Sequence, residues 1–309
     1  MYKRGTPVGP FRLDRLLSDT GGMSSVYEAT VLDQQIAERN GKKVAIKIAR
    51  IGMENDHIFE TLLRQETELL NDLRHPGVVR IIPIEQFNQR YYVGRAPGLP
   101  GAPWYFAMEL LSTETVKNVI KNLRKYSLGY RLELIYQITI ILDYLHLREV
   151  AHRDLKPDNI IFRMPPHPKQ MPMPVLIDFG LGLKRRIEPT VNAATVAYAS
   201  PERVRTLMRP NGYQPTEQAF DYFPSDVWAL GVIAYELLTG KHPFGDEANR
   251  TALAEMIMNG HPAKMNGNIP PEIEKVVWYM LNKNPQHRPT IPQVLKLLET
   301  KIEIPPPRV

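Results

Sequence analysis

The sequence predicts an α+β chain in two unequal lobes. Two observations predict it. In the first third, short β-branched and aromatic runs surround one helical stretch. After about Ser112, apolar residues recur at helical spacing instead. The length of 309 residues suits about two domains, or one domain divided into two lobes. Hydrophobic residues make up 43% and charged residues 23%, so there is ample material for a core and whole-chain disorder is excluded.

Taken in order, residues 26–31 and 43–48 read as strands, being rich in Val, Ile and Ala between turn signals. A helix is predicted over 57–73, with Phe59, Leu62, Leu63, Leu69 and Leu70 at spacings of three and four. Residues 104–108 form another buried-strand candidate. Helices follow over 130–147, with Leu134, Ile138, Ile141, Leu142 and Leu145 on one side, then over 227–238 and 271–281. Ser225 is placed to cap the 227–238 helix. Proline clusters at 97–103, 164–174 and 305–307 read as connectors, because proline lacks the donor that ladders need. The 164–174 cluster reads as an enlarged hairpin tip, and 205–224 as a long self-packed loop, with a docking surface carrying Tyr213, Phe220, Tyr222 and Phe223 as the alternative.

The chain has no cysteine, which removes disulfides, thiolate metal sites and cysteine nucleophiles. No apolar run reaches the roughly 18–20 residues of a membrane helix, and the N-terminus shows no apolar leader core. The expectation is a cytoplasmic protein without a membrane span, with delivery into another cell left open. The net charge of +6 favours acidic partners such as phosphates, but it is too moderate to imply nucleic-acid binding.

The strongest segment is His152-Arg153-Asp154-Leu155-Lys156-Pro157-Asp158-Asn159, followed by Asp178-Phe179-Gly180 after the apolar run Val175-Leu176-Ile177. Upstream lie Val44-Ala45-Ile46-Lys47 and the turn Asp19-Thr20-Gly21-Gly22-Met23-Ser24. Downstream come Ala199-Ser200-Pro201-Glu202, Ser225-Asp226-Val227-Trp228 and Asn284-Pro285-Gln286-His287-Arg288-Pro289. This ordered set resembles the protein kinase superfamily, and within it the bacterial-type serine/threonine kinases, over about residues 10–300.

The resemblance implies a smaller lobe, 1–111, and a larger, mainly helical lobe, 112–309. It implies that ATP is bound and its γ-phosphate passed to Ser or Thr hydroxyls of protein substrates, with magnesium (or manganese) over the phosphates. Thr20, Gly21 and Gly22 would approach the phosphates, although two of the family's three glycines are replaced, by Asp19 and Ser24. Asp19 could repel phosphate there. Lys47 would hold the α and β phosphates and be held in turn by Glu66, with Glu60 and Glu68 as rivals. Val26 and Ala45 would cover adenine from above and Ile161 from below. Met108 would be the gatekeeper, with the Glu109 carbonyl and Leu111 amide on the base edge. Asp154 would take or orient the substrate proton, Lys156 would steady the γ-phosphate, and Asn159 and Asp178 would hold the metal.

Arg153 would meet a phosphate on the activation segment. Thr190 is the better phosphosite, because Thr195 sits where the family keeps a threonine against the catalytic loop. Asp226 should hold the catalytic-loop backbone, and Arg288 should pair with Glu202. The family analogy admits a homodimer through the smaller lobe, though no residue here demonstrates it. Two alternatives stand beside this reading: a nucleotide-binding scaffold without transfer activity, supported by the altered glycine turn, and a small-molecule kinase, disfavoured by the motifs after Asp178. The reading as a whole expects Lys47, Asp154 and Asp178 to converge on one triphosphate.

Overall fold

A computed structural model describes residues 1–19, 23–52, 57–86, 89–179, 193–208, 221–245, 249–265 and 269–299, with backbone alone at 57–58, 85–86, 89–91 and 193–195. The chain divides into two compact units, Met1–Thr113 and Glu114–Val309.

The first unit contains β1 (Pro7–Val8), β2 (Phe11–Ser18), β3 (Ser24–Val31), α1 (Gln34–Asn40), β4 (Lys43–Ala49) and α2 (His57–Asp72). It continues through β5 (Ile81–Ile82), β6 (Ile84–Gln86), β7 (Gln89–Tyr91), β8 (Gly94–Arg95) and β9 (Trp104–Glu109). The main sheet runs β1-β2-β3-β4-β9-β5, with β8 also on β9, and its pairs are antiparallel. Register sets the site. Val26 lies opposite Lys47 and Lys47 opposite Phe106, while Ala45 lies opposite Met108. Paired residues share a face, and so do alternate residues along a strand. Val26, Ala45, Lys47, Phe106 and Met108 therefore line one face. The other face carries Tyr27, Ala29, Val44, Ile46, Ile48, Tyr105 and Ala107, which form the core with Phe11 and Leu13.

That core constrains one glycine. Gly9 has a φ of +54°, and a methyl group there would overlap the Tyr105 hydroxyl. α1 has no counterpart in the sequence reading. Its seven residues bury only Ile36, so they carry no apolar stripe; the helix is set instead by Asp33, whose carboxylate accepts from the Ile36 N–H, and it ends at Gly41.

The second unit contains α3 (Val116–Lys121), α4 (Leu128–His146), β10 (Ile160–Phe162), β11 (Pro174–Leu176) and α5 (Ala193–Tyr198). It continues through α6 (Pro201–Leu207), α7 (Phe223–Thr239), α8 (Arg250–Asn259), α9 (Pro271–Met280) and α10 (Ile291–Glu299). α7 is buried from Ser225 to Leu238, and α4 and α9 pack on it. An apolar surface all round is what a central helix needs. α7 begins at Phe223, with Pro224 in its first turn, so Ser225 lies inside the helix and is not its cap. The Ser225 hydroxyl meets Ser200 and Glu202 instead. β10 and β11 pair from Ile160–Leu176 to Phe162–Pro174, and the Met/Pro-rich segment is the tip of this hairpin. The stretch 205–224, expected as one loop, is shorter at both ends: 205–207 close α6 and 223–224 open α7, while residues 209–220 lie outside the described residues.

Candidate active site

In the first unit, the Lys47 ammonium donates to both Glu66 oxygens, at 3.0 and 2.8 Å. The pair is largely desolvated, with side chains 13% and 4% exposed. β4 projects Lys47 from the face opposite the core, and α2 supplies Glu66 beside its buried residues Leu63 and Leu70. Of the rival carboxylates, Glu60 pairs with Arg64 and Glu68 is exposed. Val26 is half-buried and Ala45 and Met108 are buried, all on the Lys47 face. Glu109 is fixed twice by Arg80: its N–H donates to the Arg80 carbonyl, and its carboxylate accepts from the Arg80 N–H, each at 2.9 Å. Leu111 follows, half-buried.

Thr20, Gly21 and Gly22 lie outside the described residues. Asp19, expected to repel phosphate, has its charge engaged: its carboxylate is 3.0 Å from the Arg50 guanidinium and accepts from the Ser25 hydroxyl at 2.5 Å.

In the second unit, the loop from His152 to Asn159 is held from beneath by Asp226. The Asp226 carboxylate accepts from the His152 N–H at 2.7 Å and the Arg153 N–H at 2.9 Å, and it lies 3.1 Å from His146 Nε2. Burial pushes the Asp226 pKa up, but the His146 contact, the histidine charges and the Arg153 amide outweigh it, so the carboxyl lies below its ordinary range. This anchor holds a strained loop. Arg153 on this loop has φ +66°, and Asp178, beyond β11, has φ +63°, a region that residues other than glycine rarely adopt. Arg203 adds a bond from its guanidinium to the Arg153 carbonyl. His152 Nε2 lies 3.1 Å from the Ile177 carbonyl, and its ring packs on Phe179.

These supports place a buried polar cluster. The Asp154 carboxylate accepts from Lys156 Nζ at 2.5 Å and from Asn159 Nδ2 at 3.0 Å. Asn159 Nδ2 also donates to the Asp154 carbonyl at 2.9 Å, so its Oδ1 is the atom left for another partner. The Asn159 carbonyl accepts from the Ile177 N–H, which brings Asp178 beside Asn159 in the chain path. Two hard oxygen donors from different segments fit magnesium, which usually takes few protein ligands and completes its shell with phosphate and water. Among the described residues no group of three or more His, Asp or Glu side chains could hold a metal alone. Ile161 lies in β10, half-buried.

The Arg153 guanidinium lies over the Tyr222 ring at 4.0 Å, a contact the sequence gave no sign of. Thr190 lies outside the described residues, and only the backbone of Thr195 is described, within α5. Arg288 grips Glu202 with two bonds of 2.7 Å. Burial raises the Glu202 pKa, yet the Arg288 bonds and charge win and hold the carboxyl low. Arg203 was also missed: it follows Glu202 directly, and nothing in its spacing marks it as a partner of the loop.

Comparison with known proteins supplies a second line of support. The family model described as "protein kinase domain" matches residues 20–297. The chain is 30% identical over 286 residues to the serine/threonine-protein kinase PknA of Mycobacterium tuberculosis (strain ATCC 25618 / H37Rv), covering 92% of this chain and 59% of that protein. It is 29% identical over 288 residues to the serine/threonine-protein kinase PrkC of Bacillus subtilis (strain 168), covering 91% of this chain and 38% of that protein. It is 27% identical over 297 residues to the serine/threonine-protein kinase PLK4 of Drosophila persimilis, covering 94% and 33%. The chain thus spans about three-fifths or less of these relatives. Among the described residues no helix is long and apolar enough to cross a membrane.

Proposed function

This chain belongs to the protein kinase domain family, and from that premise we propose that it transfers the γ-phosphate of ATP to serine or threonine hydroxyls of protein substrates. The observation that carries the reading is the buried cluster in which Asp154 is held by Lys156 and Asn159 on a loop anchored by Asp226. Phosphoryl transfer asks little covalent chemistry of a protein. It needs positioned groups around a charged, in-line transition state.

In this reading the first unit supplies Lys47, steadied by Glu66, to the α and β phosphates. Val26, Ala45 and Met108 contact adenine, with the Glu109 carbonyl and Leu111 amide on its edge. Ile161 contacts the base as well. The hydroxyl oxygen attacks the γ-phosphorus, the bond to the β-phosphate oxygen breaks and ADP leaves. The hydroxyl proton passes to the Asp154 carboxylate, and Lys156 offsets charge on the transferring group. Asn159 and Asp178 are the residues that would hold magnesium, which neutralises phosphate charge when bound. Thr20, Gly21 and Gly22 complete the phosphate contacts. Arg153 receives a phosphate placed on Thr190 by autophosphorylation, leaving the Tyr222 ring, while Thr195 contacts the catalytic loop.

The test is incubation of the chain with γ-labelled ATP, magnesium and a mixed protein substrate, followed by phosphoamino-acid analysis. Label on phosphoserine and phosphothreonine is expected. ATP binding with no label on substrate or on the chain itself would replace this reading with that of a nucleotide-binding scaffold. Phosphopeptide mapping that finds Thr190 unmodified in an active preparation would remove the autophosphorylation step alone.

A further inference from the structure

The residues on either side of Thr20-Gly21-Gly22 are tied to one residue. The Arg50 N–H donates to the Met23 carbonyl at 2.9 Å. The Arg50 guanidinium donates to the Asp19 carbonyl and lies 3.0 Å from the Asp19 carboxylate. Ser25, itself buried, donates its hydroxyl to the same carboxylate. Arg50 follows directly on β4, the strand that carries Lys47.

From this we propose that Arg50 is the positioning residue for Asp19 and Met23 beside the ATP phosphates: it bridges the two and neutralises the carboxylate that this chain carries where a glycine is expected. The inference rests on the kinase reading above. An ATP triphosphate is strongly anionic, so an uncompensated Asp19 near it would weaken binding through like-charge repulsion. This effect does not touch the base or the ribose. The clamp therefore acts on the phosphates alone, and this separates it from a merely structural ion pair, whose loss would weaken every ligand together.

The test measures dissociation constants of magnesium-ATP and of adenosine by calorimetry for the wild-type chain, Arg50→Ala, Asp19→Asn and the double variant, with thermal melting of each. For Arg50→Ala, ATP affinity is expected to fall about three- to tenfold, the size of an exposed pair plus an unscreened neighbour charge. Adenosine affinity should stay unchanged, and Asp19→Asn added to Arg50→Ala should recover most of the loss. Should Arg50→Ala fail to fold, Arg50→Gln gives the same comparison, because it keeps a donor for the Asp19 carbonyl but no charge. Equal losses for ATP and adenosine, no loss for either, or no recovery in the double variant each overturn the clamp alone. A wild-type chain that binds no ATP overturns the kinase reading and the clamp together.

Discussion

Replacing Glu66 by Gln tests the link between packing in the first unit and the proposed chemistry. Gln keeps the size of Glu66 and one carbonyl acceptor, but it removes the negative charge that faces the Lys47 ammonium. In the native pair two charge-assisted bonds, of 3.0 and 2.8 Å, fix Lys47 in a setting where both side chains are largely out of water. Losing one such bond is worth about 1.5–3 kcal/mol. If that energy is used to hold Lys47 against the phosphates, kcat/KM should fall about 10- to 150-fold, at about 1.4 kcal/mol per decade. The assay is steady-state phosphotransfer with ATP varied, normalised to the folded fraction by circular dichroism. Glu66 acts through Lys47, so Lys47→Ala with Glu66→Gln should be no slower than Lys47→Ala alone. A change within about twofold for Glu66→Gln, or losses that simply add in the double variant, would refute the reasoning.

Other expectations follow from the packing. Arg288 has a fully buried side chain, so Arg288→Ala strands the Glu202 carboxylate and should cost about 3–5 kcal/mol. In a unit of this size that lowers Tm by about 6–20 °C in calorimetry, and a drop under about 2 °C would contradict it. His242 accepts from the Phe244 N–H on Nδ1, so Nε2 carries the proton towards the Ala197 carbonyl; burial pushes its pKa down to about 4. The folded state then binds fewer protons than the unfolded state between about pH 4 and 6.5. This stability is complete above about pH 6.5 and lost as pH falls towards 4, amounting to about 3 kcal/mol. Urea melts of His242→Gln should show a shallower loss over that window, and an identical slope would count against the assignment. Gly9→Ala should destabilise by about 1–3 kcal/mol through its positive φ and the overlap with the Tyr105 hydroxyl. Adding Tyr105→Phe should return part of the lost Tm, since that hydroxyl has no hydrogen-bond partner among the described residues.

Much of the candidate site could be named from the sequence because its residues lie in short contiguous segments. His152 to Asn159 carry four proposed roles in eight positions, and the Asp178 motif follows an apolar strand. The Lys47 strand and the α2 helix were legible for other reasons: the strand is a short apolar run buried on both faces, and the helix buries Phe59, Leu63 and Leu70 at helical spacing. What stayed hidden depends on pairing across long separations or on helices without stripes. α1 is held by a cap and buries one residue, so no periodicity announces it. The start of α7 was misplaced because the apolar run begins at Val227, while the first turn is built from Pro224 and from a serine committed to Glu202. The links of Arg50 to Asp19, Arg203 to Arg153 and Arg153 to Tyr222 join residues whose meeting is fixed only by register and loop path. The altered glycine turn read in isolation as a weakness. Paired with Arg50, the substituted carboxylate is compensated.

The most direct measurement compares Asp154→Asn with the wild-type chain for γ-phosphate transfer and for ATP affinity in the same preparation. Asn keeps the shape of the side chain and an acceptor for Lys156 but cannot take the hydroxyl proton. Turnover should fall by a factor on the order of 100–10,000, while the Kd for ATP stays within about threefold. Turnover that survives the substitution would contradict the assignment of Asp154 as the proton-accepting group and the account built around it.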